Sequence, residues 1–188
     1  MTRHPSKPLS STATHRPPSL FNRPRLFTGL AALALGALLY LLERPAARTY
    51  FIPRTLAEML QPDGGAGLFG ALGQQLPTFL HTFSLCLLTA ALLRVGWRGA
   101  LGICGAWLVT DALFELGQQT TTAEWLARHV PAWFQHVPVL DNTASYFLHG
   151  RFDPLDLLSI VLGAAAAFVL ILATRRFDPS SGGAANGV

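Results

Sequence analysis

Apolar runs separated by polar, glycine- and proline-bearing stretches dominate the pattern of the chain. Four runs stand out, at 26–42, 76–95, 99–118 and 155–174. At a rise of 1.5 Å per residue they reach roughly 25–30 Å, about the depth of a bilayer's hydrocarbon core. The last run carries no charge after Asp156 until Arg175 and Arg176 close it. The pattern predicts an all-α integral membrane protein, with four transmembrane helices in an antiparallel bundle and interfacial helices in the loops.

The polar stretches read differently from one another. Residues 1–25 hold Arg3, Lys7, Arg16, Arg23 and Arg25 among five prolines, with no apolar period to bury, which predicts a disordered basic arm. The run after it reads as an anchor rather than a cleaved leader, because Glu43 and Arg44 stand where a cleavage site needs small residues. Residues 43–75 combine arginines, the short amphipathic TLAEMLQ and a glycine-rich run, as a loop on the membrane surface would. Gly65, Gly67 and Gly70 match a dinucleotide fingerprint, yet no strand precedes them, so the match is chance. Residues 119–153 hold the amphipathic AEWLARHV with Trp125, Trp133 and Phe134, predicting an interfacial helix and a loop with aromatics at headgroup level. Residues 175–188 read as a flexible tail.

Composition sharpens the class. The 188-residue chain is 51% hydrophobic and 13% charged, against about 25% charged for soluble domains, too little polar surface for a water-soluble globule. Its net charge of +4 does not point to nucleic acid, because the basic residues sit at the ends of apolar runs. Nine Lys and Arg fall on one side of the predicted bundle and five on the other, which by the positive-inside rule puts both termini in the cytoplasm. Cys86 and Cys104 lie inside apolar runs, as small packing residues rather than a disulfide or metal site.

Candidate chemistry gathers at one end. In four alternating spans, the start of the second, the end of the third and the start of the fourth share a side of the membrane, and each carries ionisable residues. His81, Asp111, Glu115, Gln118, Arg151 and Asp156 are the candidate polar pocket. His81 is expected one to two turns inside its helix. Asp111 and Glu115 are four apart on one helix face, so some cation or proton must relieve their repulsion. Ionisable groups inside a bilayer are expensive and are functional candidates for that reason. Structural roles compete: Asp153, followed by Pro154 and Asp156, reads as a helix N-cap. His81 can be a hydrogen-bonded packing residue, and Glu115 with Arg151 a structural ion pair. Gly99, Gly102, Gly105 and Gly163 are candidate helix-packing positions. No HExxH, clustered His or Cys, nucleophile elbow or phosphate loop is present, so neither a metal nor another cofactor is expected.

Glu115 with Gln118, then Arg151, Asp156 and Gly163, resembles the VanZ-like family of small bacterial membrane proteins, across roughly residues 76–174. That family's pattern is Glu-x-x-Gln at the end of one membrane helix, an Arg, and an Asp opening a last helix that carries glycines. Ile160 stands where the family commonly has Asn, Ala167 replaces a further glycine, and 32 residues separate Gln118 from Arg151. The resemblance implies a multi-pass protein of the bacterial cytoplasmic membrane, without a settled biochemical activity.

The expected function is therefore non-enzymatic: an outward-facing polar pocket that binds an envelope component or a lipid headgroup. Two alternatives stand beside it. One is a membrane-embedded enzyme acting on a lipid-linked substrate through His81 and a carboxylate. The other is a scaffold for a partner membrane protein.

Overall fold

A computed structural model describes residues 21–43, 59, 69–93, 95–138 and 140–175. The arm 1–20, most of the 43–75 loop with all of TLAEMLQ but Met59 and the first glycines of the chance fingerprint, and the tail beyond 175 lie outside the described residues. Within the described residues the α-helices are α1 Arg23–Glu43, α2 Gly70–Leu92, α3 Trp97–Leu116, α4 Thr120–His129, α5 Thr143–His149 and α6 Pro154–Ala173. Short 3₁₀ turns at Ala132–His136 and Leu140–Asn142 join α4 to α5. The helices α1, α2, α3 and α6 are each long and apolar enough to cross a membrane, and they pack together as a helical bundle.

The bundle is built on α2, which packs against α1, α3 and α6. Small residues set these contacts, because without water to expel, helices in lipid gain from close backbone approach. Gly29 of α1 faces Leu87 and Leu88, and Gly36 faces Leu80, so α1 runs antiparallel to α2. On α6, a Cβ built on Gly163 would lie 2.6 Å from the carbonyl oxygen of Phe79 and 3.3 Å from the amide of Phe83. No side chain fits there. Cys86, Leu87 and Ala90 of α2, Ala100 and Cys104 of α3, and Ala164, Ala167 and Ile171 of α6 fill the core between the three helices. Both cysteines are free thiols.

Three expectations need correction. A Cβ added at Gly102 or Gly105 would meet nothing within 4 Å, and the three atoms nearest to one at Gly99 all belong to its near neighbour Val95. The packing face of α3 is instead Ala100, Cys104, Trp107, Asp111 and Glu115, spaced at helical period, which turns the glycine row away from the bundle. The second helix starts at Gly70 rather than near residue 76, so Pro77 lies inside it. Gly70 makes that start feasible, with φ +55° where a side chain would be strained. The first helix reaches back to Arg23, and Arg25 belongs to the bundle rather than to the arm.

Arg25 is fully buried at the end of the bundle opposite the candidate site. Its guanidinium donates from Nε to Thr174 Oγ1 at 2.9 Å, from Nη1 to the Ala90 carbonyl at 3.3 Å and from Nη2 to the Ile171 carbonyl at 2.9 Å. One side chain thus donates to carbonyls in the last turns of both α2 and α6, where a helix runs out of its own amide donors. Asn22 completes the joint: its Oδ1 accepts from the Arg25 amide at 3.2 Å and its Nδ2 donates to the Thr174 carbonyl at 3.2 Å.

Candidate functional site: a carboxylate and threonine layer at one end of the bundle

The inner part of the site hangs on two threonines of α2. Thr78 and Thr82 are one turn apart and so share a helix face. Thr82 Oγ1 donates to Asp111 Oδ2 of α3 at 2.6 Å, and Thr78 Oγ1 donates to Asp156 Oδ1 of α6 at 2.9 Å. The Thr82 hydroxyl also lies 3.4 Å from the Thr78 carbonyl, but its single hydrogen serves the much nearer carboxylate. Two carboxylates on different helices are thereby held beside one turn of a third. Asp156 is buried, and Asp111 keeps only 12% of its side chain exposed.

His81 stands outside this pair. Its Nε2 is 4.0 Å from Asp111 Oδ1 and its side chain is 55% exposed, so it is at ion-pair distance but beyond hydrogen-bond reach. Eleven residues separate it from the start of α2 at Gly70, which puts it about 16 Å along the helix. That is about three turns, deeper than the one to two turns expected, because α2 begins before its apolar run.

An outer layer lies one turn along α3. Glu115, 7% exposed, accepts the backbone N–H of Asp153 at 2.7 Å on Oε1 and the Gln118 amide at 3.3 Å on Oε2. Gln118 Nε2 also donates to the Tyr146 hydroxyl of α5 at 2.9 Å. Asp153 caps α6 by accepting from the Leu155 amide at 2.9 Å, while its other oxygen takes the Gln75 amide of α2 at 3.1 Å. Glu115 and Asp153 therefore tie the end of α3, the entry of α6 and the start of α2 into one joint.

Arg151 is exposed and makes no hydrogen bond or ion pair among the described residues. The Glu115–Arg151 pair considered from the sequence is replaced by the backbone amide of Asp153. Asp111, Glu115, Gln118 and Asp156 thus come to the same end of the bundle, His81 borders them, and Arg151 is left at the surface two residues before the cap. Thr78, Thr82, Gln75 and Tyr146 were missed by sequence reasoning, which searched for charge. The available signal was Thr78 and Thr82 at i and i+4 inside an apolar run.

Chemically the layer is rich in acceptors, with its donors supplied by threonine hydroxyls, amides and one backbone N–H. It suits a ligand that offers N–H or O–H groups. Among the described residues no three His, Cys, Asp or Glu side chains cluster as a metal site would require. No family model, no curated protein and no solved structure matches the chain.

Proposed function

We propose that this multi-pass membrane protein binds an envelope component, most simply the polar head of a lipid, at the end of the bundle where α2, α3 and α6 meet. The observation that carries this reading is the pair of bonds from Thr82 to Asp111 and from Thr78 to Asp156, which hold two carboxylates inside a bundle of membrane-spanning helices. Keeping such groups out of water is unfavourable, and a bundle that only needed packing would do without them. In this reading the carboxylates accept from the ligand's N–H or O–H groups. Arg151 supplies a planar fork for an anionic group beside them.

The resemblance of Glu115, Gln118, Arg151, Asp156 and Gly163 to the VanZ-like pattern supports the same reading. With it comes the bacterial cytoplasmic membrane, and the excess of Lys and Arg on one side of the bundle puts both termini inside and the site facing out in this reading. The test is thermal unfolding of purified protein in detergent, with and without added phosphatidylethanolamine or phosphatidylglycerol. Added lipid is expected to stabilise the natural chain, and Glu115→Gln and Arg151→Ala to lose that gain; without lipid Arg151→Ala should unfold normally, while Glu115→Gln starts from a lower baseline because one acceptor of the joint with Asp153 and Gln118 is lost. An equal lipid gain in both variants removes the reading.

The 4.0 Å spacing of His81 and Asp111 favours one second reading, an enzyme of lipid-linked substrates in which the two act as acid and base. Turnover of such a substrate that is abolished by His81→Asn, with lipid binding intact, would select it.

A further inference from the structure

The sequence pattern has α4 lying on the membrane with its apolar face toward lipid. The structure turns that face inward: Ala123 is buried, and Leu126 Cδ1 lies 3.1 Å from where a Cβ on Gly117 would be. Gly117 is the residue that ends α3, a membrane-spanning helix. Leu126 therefore fastens α4 at the level of the last turn of that span. Phe147 of α5 packs on the same glycine, 2.8 Å from that Cβ position, and stacks on Phe114 of α3 with ring centroids 6.1 Å apart. The two short helices form a cap fixed to the end of the bundle.

What the cap leaves outside is an aromatic. Trp125, next to Leu126 in the chain, is 59% exposed. Its ring stacks on His129 at 4.3 Å, and the Glu124–Arg128 pair at 3.2 Å lies beside it on the exposed surface. Phe114, in the last turn of α3, is half exposed as well. A rigid indole with charged neighbours, held at the end of a span, is the combination that favours the layer between acyl chains and water.

We propose that the α4–α5 cap is seated in the interfacial layer of the bilayer, with Trp125 as its anchor and the heads and upper acyl chains of surrounding phospholipid as its partner. Continuity with the lipid-facing end of α3 selects lipid over a second protein. The cap thus holds Glu115 and Gln118 at headgroup depth.

The test is tryptophan fluorescence of the full chain in phosphatidylcholine vesicles. Lipids brominated just below the glycerol are compared with lipids brominated at mid-chain and with aqueous iodide. The Trp125 signal is obtained by subtracting the Trp125→Phe variant, which leaves Trp97, Trp107 and Trp133 in place. Stronger quenching of that signal by the shallow bromolipid than by the other two is the expected result. Iodide as the strongest quencher puts Trp125 in water, mid-chain bromine as the strongest puts it among the tails, and protection from all three puts it under protein. Each of these three overturns the proposal. Should the subtraction be distorted by misfolding of the variant, a chain with Trp97→Phe and Trp133→Phe reads Trp125 against Trp107 alone, with the same outcomes.

Discussion

Thr82 and Asp111 share a 2.6 Å hydrogen bond across the seam of α2 and α3, a direct polar link between two spans. Its worth follows from what remains if the hydroxyl goes. Thr82→Val keeps the shape but leaves a largely buried carboxylate oxygen without its donor, and is expected to destabilise by about 1–3 kcal/mol. Thr82→Ser should recover most of the loss. Unfolding in detergent measures both, and equal stability of Thr82→Val and the natural chain would mean the bond is structurally idle.

Arg25 is expected to be the most sensitive basic residue of the described chain. Lysine cannot reproduce three directed bonds to Thr174, Ala90 and Ile171 from a planar head, so Arg25→Lys should lose about 2–4 kcal/mol, the worth of one or two charged hydrogen bonds. Exposed Arg23, two positions away, should tolerate alanine within about 0.5 kcal/mol. The comparison is an unfolding-temperature measurement on the two variants side by side.

Glycines on two helices are expected to respond in opposite ways. A methyl at Gly163 would meet the Phe79 backbone, which cannot step aside, so Gly163→Ala should destabilise by roughly 1–3 kcal/mol. Gly102 faces open space, and Gly102→Ala should be neutral or gain up to about 1 kcal/mol of helix propensity. A large loss at Gly102 would reveal a packing partner for that face of α3.

Cys86 and Cys104 report on the core without any substitution. Cys86 is fully buried and Cys104 nearly so, so a polar maleimide should modify neither until the bundle opens. Mass spectrometry of timed labelling reads this directly, and Gly163→Ala should speed both modifications together. Rapid labelling of either thiol in the intact protein would contradict the packing of α2 against α3.

Existence of the four spans was legible because length and uninterrupted apolarity are enough to decide it, and each run does become a helix. Boundaries were less so. The first two turns of α2, Gly70 to Leu76, are too rich in Gly and Gln to read as membrane helix, and only the structure shows them helical. Arg25 was assigned to a solvated arm because charge usually means water. Nothing in its neighbours announces that the ends of two distant helices supply its acceptors. Charge likewise pointed to Asp111, Glu115 and Asp156 while concealing the uncharged Thr78 and Thr82 that hold two of them. Gly102 and Gly105 fit a packing motif, but spacing alone cannot tell which side of a helix its neighbours occupy.

The bond from Arg25 to the end of α6 also sets a timetable. The ribosome delivers the arginine before its acceptors at Ile171 and Thr174, which follow almost 150 residues later, so the joint closes only when α6 is in place. A chain cut short before α6 lacks two of the acceptors that hold this guanidinium, Thr174 and Ile171, so α1 and α2 cannot by themselves make the joint that closes this end of the bundle.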